Sequence, residues 1–193
     1  MAIKRIGLAT DVIALAEAKT HLRILAATHP DDTYITGLIT AAREWAEEYI
    51  ERAIGTQTLE IALDVFPAAF KLVPAVQSVT SVKYLDVNNV EQTVTSTDYI
   101  VDSYSNPAWI VPAYGKTWPE TYCIANAVKV RFVAGYDVGN PCPQAIIAAM
   151  KLMIGHLYEN RQQDVLGNTR ISFNSLPMGI YALLQPYRLN LGV

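Results

Sequence analysis

The chain is short of charge. Of its 193 residues 17% are charged and 51% hydrophobic, whereas about a quarter are charged in an ordinary soluble domain; the mean hydropathy is +0.18. Part of that apolar surface is expected to lie against neighbouring subunits. The formal net charge is −3 and the pI about 5.6, so no overall basic field exists to grip phosphates, and free-standing nucleic-acid binding is disfavoured. Cysteine is scarce. Cys123 and Cys142 make no disulfide framework and have neither CxxC spacing nor an adjacent His. They read as small buried hydrophobes in a reducing compartment. No apolar run reaches the roughly 18 residues of a membrane span, and Asp11 interrupts the N-terminal run before it resembles a signal-peptide core. A soluble protein made in the cytoplasm, with no membrane contact, is expected. No GxGxxG or GxxxxGK[ST] loop is present to cradle a phosphate, and no GxSxG elbow. No catalytic residue and no cofactor is expected.

What is there is a pattern of helices at both ends around a β-prone middle. Leu15, Ala18, Leu22 and Leu25 recur at helical spacing, and Asp32 is the cap candidate for a second helix. In that helix Ile35, Leu38, Ile39, Ala42, Trp45, Ala46, Tyr49, Ile50 and Ala53 share one face. Arg43, Glu44, Glu47, Glu48 and Glu51 lie mostly off it; the four Glu residues read as its solvated side, with Glu48 and Arg52 as an i,i+4 pair. Gly55 is the expected stop. The period then changes to two: Leu59, Ile61, Leu63 and Val65 alternate with Thr58, Glu60, Ala62 and Asp64. Residues 79–94 are two β-prone runs around Asn88 and Asn89, which tolerate a hairpin turn. Pro143 suits a first helical turn, and residues 144–161 are apolar almost all round until Tyr158, as a central helix would be. A loop of about fifteen residues follows, a length that is uncommon without a function, and Pro186 ends or kinks a last short helix. The expected fold is α+β: a mostly helical core (11–55 and 142–188) with a β-rich antiparallel insertion (56–135), all in one domain, and a tail at 189–193.

Two sets of side chains invite chemistry. His156 and Glu159 are three apart on a helix and Asp164 could join them from the loop, a sparse set for zinc, which takes three or four protein ligands. A small metal-dependent hydrolase centred there is the enzymatic alternative. The other set is richer in contact area: Tyr158, Arg161, Arg170, Phe173, Tyr181, Tyr187 and Arg188. Tyr and Arg are enriched at protein interfaces, which favours a surface that holds neighbours.

Six segments in order carry a resemblance: LAEAKTHLRI, AAREWAEEYIERAIGTQTLEIALDVFP, SVTSVKYLD, VRFVAGY, HLYENR and PMGIYALLQPYR. Across residues 12–188 the chain resembles the head–tail connector, or adaptor, proteins of long-tailed bacteriophages and prophages. The resemblance implies a structural virion protein of the neck, with about a dozen copies in a ring beneath the portal. The ring would extend the DNA channel, let double-stranded DNA pass without sequence-specific binding, and offer a platform to a stopper or tail protein. Another ring of the neck or tail, a stopper or a terminator, is the nearest alternative. It also implies assembly contacts at Tyr158, Glu159, Asn160, Arg161, Pro186, Tyr187 and Arg188. Arg170 and Phe173 in the loop, and Leu189, Asn190 and Leu191 in the short apolar tail, are expected to join them.

Overall fold

The computed structural model describes residues 2–72, 76–105, 107–161 and 177–189. The chain forms two compact units, Met1–Thr10 with Ala53–Gly139 and Asp11–Arg52 with Asn140–Val193.

Among the described residues the strand unit holds eight strands: β1 (Ala2–Arg5), β2 (Gln57–Leu63), β3 (Phe70–Lys71), β4 (Val76–Leu85), β5 (Glu91–Val94), β6 (Tyr99–Asp102), β7 (Trp109–Pro112) and β8 (Val128–Ala134). They build two antiparallel sheets, ordered β1-β2-β8-β4-β5 and β3-β7-β6. Period-two alternation decides which side chains go in. Leu59 and Ile61 on β2, Val82 on β4, and Val128, Val130 and Phe132 on β8 share one core with Phe70 and Ile110 of the smaller sheet. In register, Ile61 faces Val130, which faces Val82. The 88–89 turn forms as its residues suggest: Asn89 takes φ 62, and Asp86 Oδ1 accepts the N–H groups of Asn88 (2.9 Å) and Val90 (3.0 Å).

The helical unit holds α1 (Leu15–His21), α2 (Asp32–Ile50), α3 (Gln144–Glu159), α4 (Met178–Leu184) and a 3-10 turn (Gln185–Tyr187). Ile35, Leu38, Ile39, Ala42, Ala46 and Ile50 of α2 are buried, as are Ile146, Met150 and Ile154 of α3 and Ile180 and Leu184 of α4. Each fully buried Ile or Leu contributes about 1.5–3 kcal/mol.

The architecture corrects the expected fold class. The chain is not a mostly helical core with a β insertion: its described residues are 31% helical and 24% strand, with two antiparallel sheets. The middle segment has its own two-sheet core, and the N-terminus supplies an edge strand, β1, through Lys4↔Glu60 and Ile3↔Ile61 pairing. Four residues are too few to display a period, so this strand exists through its partner and not through a local signal. Two smaller corrections concern α2. It ends at Ile50, where Glu51 turns left-handed (φ 57) and donates its N–H to Glu47 O. Gly55 instead lies against Gly135, whose φ is +117 and where an added Cβ would stand 2.3 Å from the Gly55 carbonyl oxygen. Only glycine fits that approach at position 135.

Arg43 and Glu47 are also not on a solvated face. They are 2% and 8% exposed, and Arg43 donates to Asp11 Oδ1 (2.8 Å) and Glu47 Oε2 (2.9 Å). Lys19, 5% exposed, is held likewise by Asp32 Oδ1 (2.8 Å) and the Ala27 carbonyl (2.9 Å). A buried charge is tolerated only with such partners. Asp32 is therefore not a cap: it is the first helical residue, and its Oδ2 accepts the His29 N–H at 3.0 Å.

Candidate assembly surfaces

The end of α3 is fastened to the start of α2 through Asp31. Tyr158 donates its hydroxyl to Asp31 Oδ2 at 2.8 Å, and Arg161 donates to the same oxygen. The Arg161 guanidinium also lies over two rings, 4.6 Å from the Tyr34 centroid and 4.8 Å from that of Tyr158. Charge-assisted hydrogen bonds favour the carboxylate. Arg161 first, and then Tyr158, hold the Asp31 carboxyl below its ordinary range, while the Asp31 carboxylate pushes the Tyr158 phenol up. Asn160 closes the helix by donating its side-chain amide to His156 O at 2.8 Å. Glu159 points to solvent.

A second cluster binds the C-terminal segment to the other end of α2. Trp45 and Tyr49 stack at 5.5 Å, and Tyr181 meets both edge-on, at 5.6 and 5.4 Å. Tyr49 donates its hydroxyl to Gln185 Oε1 (2.8 Å), Arg188 covers the Tyr49 ring at 5.5 Å, and the Leu189 N–H donates to Ile50 O (3.0 Å). Pro186 is exposed and Tyr187 half-buried.

The expected contact residues thus fall into two groups, one at each end of α2, with Tyr158 and Arg161 in the first and Arg188 and Leu189 in the second. Arg170, Phe173, Asn190 and Leu191 lie outside the described residues. Sequence reasoning missed their receiving partners Asp31, Tyr34, Trp45 and Tyr49. A Tyr–Arg pair facing an acid and a ring has no sequence signature when its parts are more than a hundred positions apart, as Asp31 and Tyr158 are. Asp164 also lies outside the described residues, so the proposed three-ligand set is not seen together. Among the described residues no three metal-binding side chains are grouped, and no helix is long and apolar enough to cross a membrane. Burial pushes the Cys142 thiol up to about 12. Cys123 is exposed, not buried as expected, because it lies in the loop before β8 and outside the strand alternation.

The third surface is the outer face of the five-stranded sheet. Arg131 donates to Glu60 Oε2 through Nε (3.1 Å) and Nη2 (2.8 Å), Lys4 is the register partner of Glu60, and Lys83 pairs with Glu91 at 2.7 Å. The Lys83 hydrogen bond first, then the fields of Lys83, Lys129 and Arg131, hold Glu91 below its ordinary range.

Residues 12–110 match the phage gp6-like head-tail connector protein family. A comparison with curated proteins finds no match. Among solved structures the chain is similar to a protein in the neck of an empty GTA particle computed with C6 symmetry (TM-score 0.77). It is also similar to chains in the virion of a native gene transfer agent particle (0.76) and in the neck of a native GTA particle computed with C12 symmetry (0.72). Each is 20% identical, over 97% of this chain and 95% of the other. At that identity the likeness shows a shared fold. The family match spans α1, α2 and most of the strand unit, more than half of the sequence, and the chain therefore belongs to the phage gp6-like head-tail connector family, whose members are structural proteins and not enzymes.

Proposed function

We propose that copies of this chain close into a ring, about twelve in number, docked beneath the capsid portal. Duplex DNA runs through the lumen and a stopper or tail protein sits below. The observation that carries this reading is the family membership joined to a fold shared with neck proteins of particles computed with C6 and C12 symmetry. A cyclic ring needs head-to-tail contacts between two different surfaces of each subunit. The chain has exposed apolar side chains to spend on them: Leu8, Leu25, Tyr104, Tyr114, Val138 and Met178 all stand almost fully in solvent. A net charge of −3 suits a lumen through which DNA slides, because tight phosphate binding needs an excess of Lys and Arg to displace counterions.

In this reading Glu159, Asn160, Pro186 and Tyr187 are presented to neighbours by the two clusters that brace them, Tyr158 and Arg161 on one side and Arg188 and Leu189 on the other. Arg170, Phe173, Asn190 and Leu191 make further contacts, and the 189–193 tail engages the portal. Negative-stain imaging of the purified chain, alone and with its cognate portal, tests it. Rings seated on the portal are expected. A chain that never binds a portal overturns the docking, and removal of residues 189–193 with docking retained overturns the role of the tail.

A further inference from the structure

The outer face of the five-stranded sheet carries Lys4, Lys83, Lys129 and Arg131 against two carboxylates, Glu60 and Glu91. Four cations to two anions is unusual in a chain of net charge −3. Lys83 and Lys129 are direct register partners on neighbouring strands, and like charges placed opposite each other destabilise a sheet. Lys4 and Lys129 are exposed, and the side chains of Lys83 and Arg131 are 44% and 45% exposed.

The helical unit carries the complementary surface. Glu44, Glu48 and Glu51 are all exposed, four and three residues apart along one ridge at the C-terminal end of α2. The last turn of α2 holds no basic residue, and carboxylates there oppose the negative end of the helix dipole. Arg188 lies over the neighbouring Tyr49 ring, but every one of those three side chains on the ridge is a carboxylate. Glu44 lies 3.7 Å from Arg43 Nη2, and Lys83 and Arg131 pair with Glu91 and Glu60, but each surface keeps an excess of one sign, and the two signs are opposite.

We propose that the sheet face Lys4, Lys83, Lys129 and Arg131 of one copy receives the Glu44, Glu48 and Glu51 ridge of the next copy, a head-to-tail contact that repeats around a ring. The inference rests on the ring reading above and names the surfaces that close it. Complementary potentials of this kind steer encounter and fix the register of an interface. Two different surfaces meeting is also the geometry that a closed cycle requires.

The test uses the full chain in two reversed forms, Lys129→Glu and the double variant Glu48→Lys/Glu51→Lys. Lys129→Glu relieves its juxtaposition with Lys83, and all three substituted positions are exposed, so each variant is expected to fold with little change in melting temperature. Sedimentation at high protein concentration and low salt then reads association. The original chain is expected to self-associate, less so as salt rises. Each variant alone is expected to associate about tenfold more weakly or worse. An equimolar mixture is expected to recover, since each variant then offers the surface the other lacks. Variants that associate like the original, or a mixture that recovers nothing, overturn the proposed contact and leave the ring reading standing. An original chain that stays monomeric in solution and on the portal overturns both. Loss of duplex-DNA binding in Lys129→Glu with unchanged sedimentation also overturns the proposal, and assigns the sheet face to the channel wall.

Discussion

The two units handle charge in opposite ways. In the helical unit the chain draws Arg43 and Lys19 out of water and closes them with Asp11, Glu47 and Asp32 at hydrogen-bond distance. In the strand unit the core is apolar, and the pairs Arg131–Glu60 and Lys83–Glu91 stay on the outer face. The difference follows from geometry. A strand sends alternate residues to opposite faces, so a charge at every second position reaches water. A helix packed between neighbours has no such separation, and a long basic side chain at its margin must find acids or remain unsatisfied. Buried charge is therefore internal fastening in the helical unit, while the ion pairs of the strand unit stay at the surface.

The contrast can be broken first where its effect is largest. Replacing Arg43 with Met removes the guanidinium that Asp11 and buried Glu47 share and is expected to cost the helical unit about 3–5 kcal/mol in chemical denaturation. A loss under about 1 kcal/mol would mean that this charge is effectively solvated. Phe132→Ala is its apolar counterpart in the strand unit, with an expected loss of about 3–5 kcal/mol. Gly135→Ala is expected to cost about 1–3 kcal/mol or more, because its φ of +117 and the Gly55 carbonyl leave no room for a Cβ; wild-type stability would refute that close approach.

The Asp31 fastening sharpens the contrast through pH. Its carboxyl titrates below the ordinary value when folded, so its stabilisation is present above that ordinary value and disappears as pH falls through the folded one. Tyr158 titrates above its ordinary value of 10.0, so its contribution is complete below that value and disappears as pH rises through the folded one. The melting temperature of the original chain, less that of Asp31→Asn, is expected to be flat near neutrality and to fall at both extremes. A difference independent of pH would dissociate Asp31 from the clamp. The smallest effect is expected from Arg131→Ala on the outer sheet face, about 0–1 kcal/mol.

How much of this was legible depended on range. Helix α2 could be read because its apolar stripe recurs within a few residues, and the 79–94 hairpin because alternating runs flank an Asn-Asn pair. Strand β1 could not be read, since four residues acquire their conformation from β2. Glu47 was misassigned to the solvated face, and the burial of Arg43 was not foreseen, for a related reason. Local spacing puts them beside the apolar stripe, but Asp11, 32 positions from Arg43, makes burial tolerable. In the candidate surfaces, Tyr158, Arg161 and Arg188 stood out by residue type. Their partners Asp31, Tyr34 and Tyr49 did not, being ordinary residues of a helix and the turn before it.

By itself the sequence determined the elements whose period exceeds their noise, the absence of a catalytic motif, and a resemblance distributed over six segments in order. The tertiary structure alone decided that the middle of the chain has its own two-sheet core and that the N-terminus completes its edge. It also decided which charges are buried and which form opposed surfaces. Periodicity is a property of neighbours along the chain, while burial, ion pairing and sheet order are properties of neighbours in space, and only folding brings the second kind together.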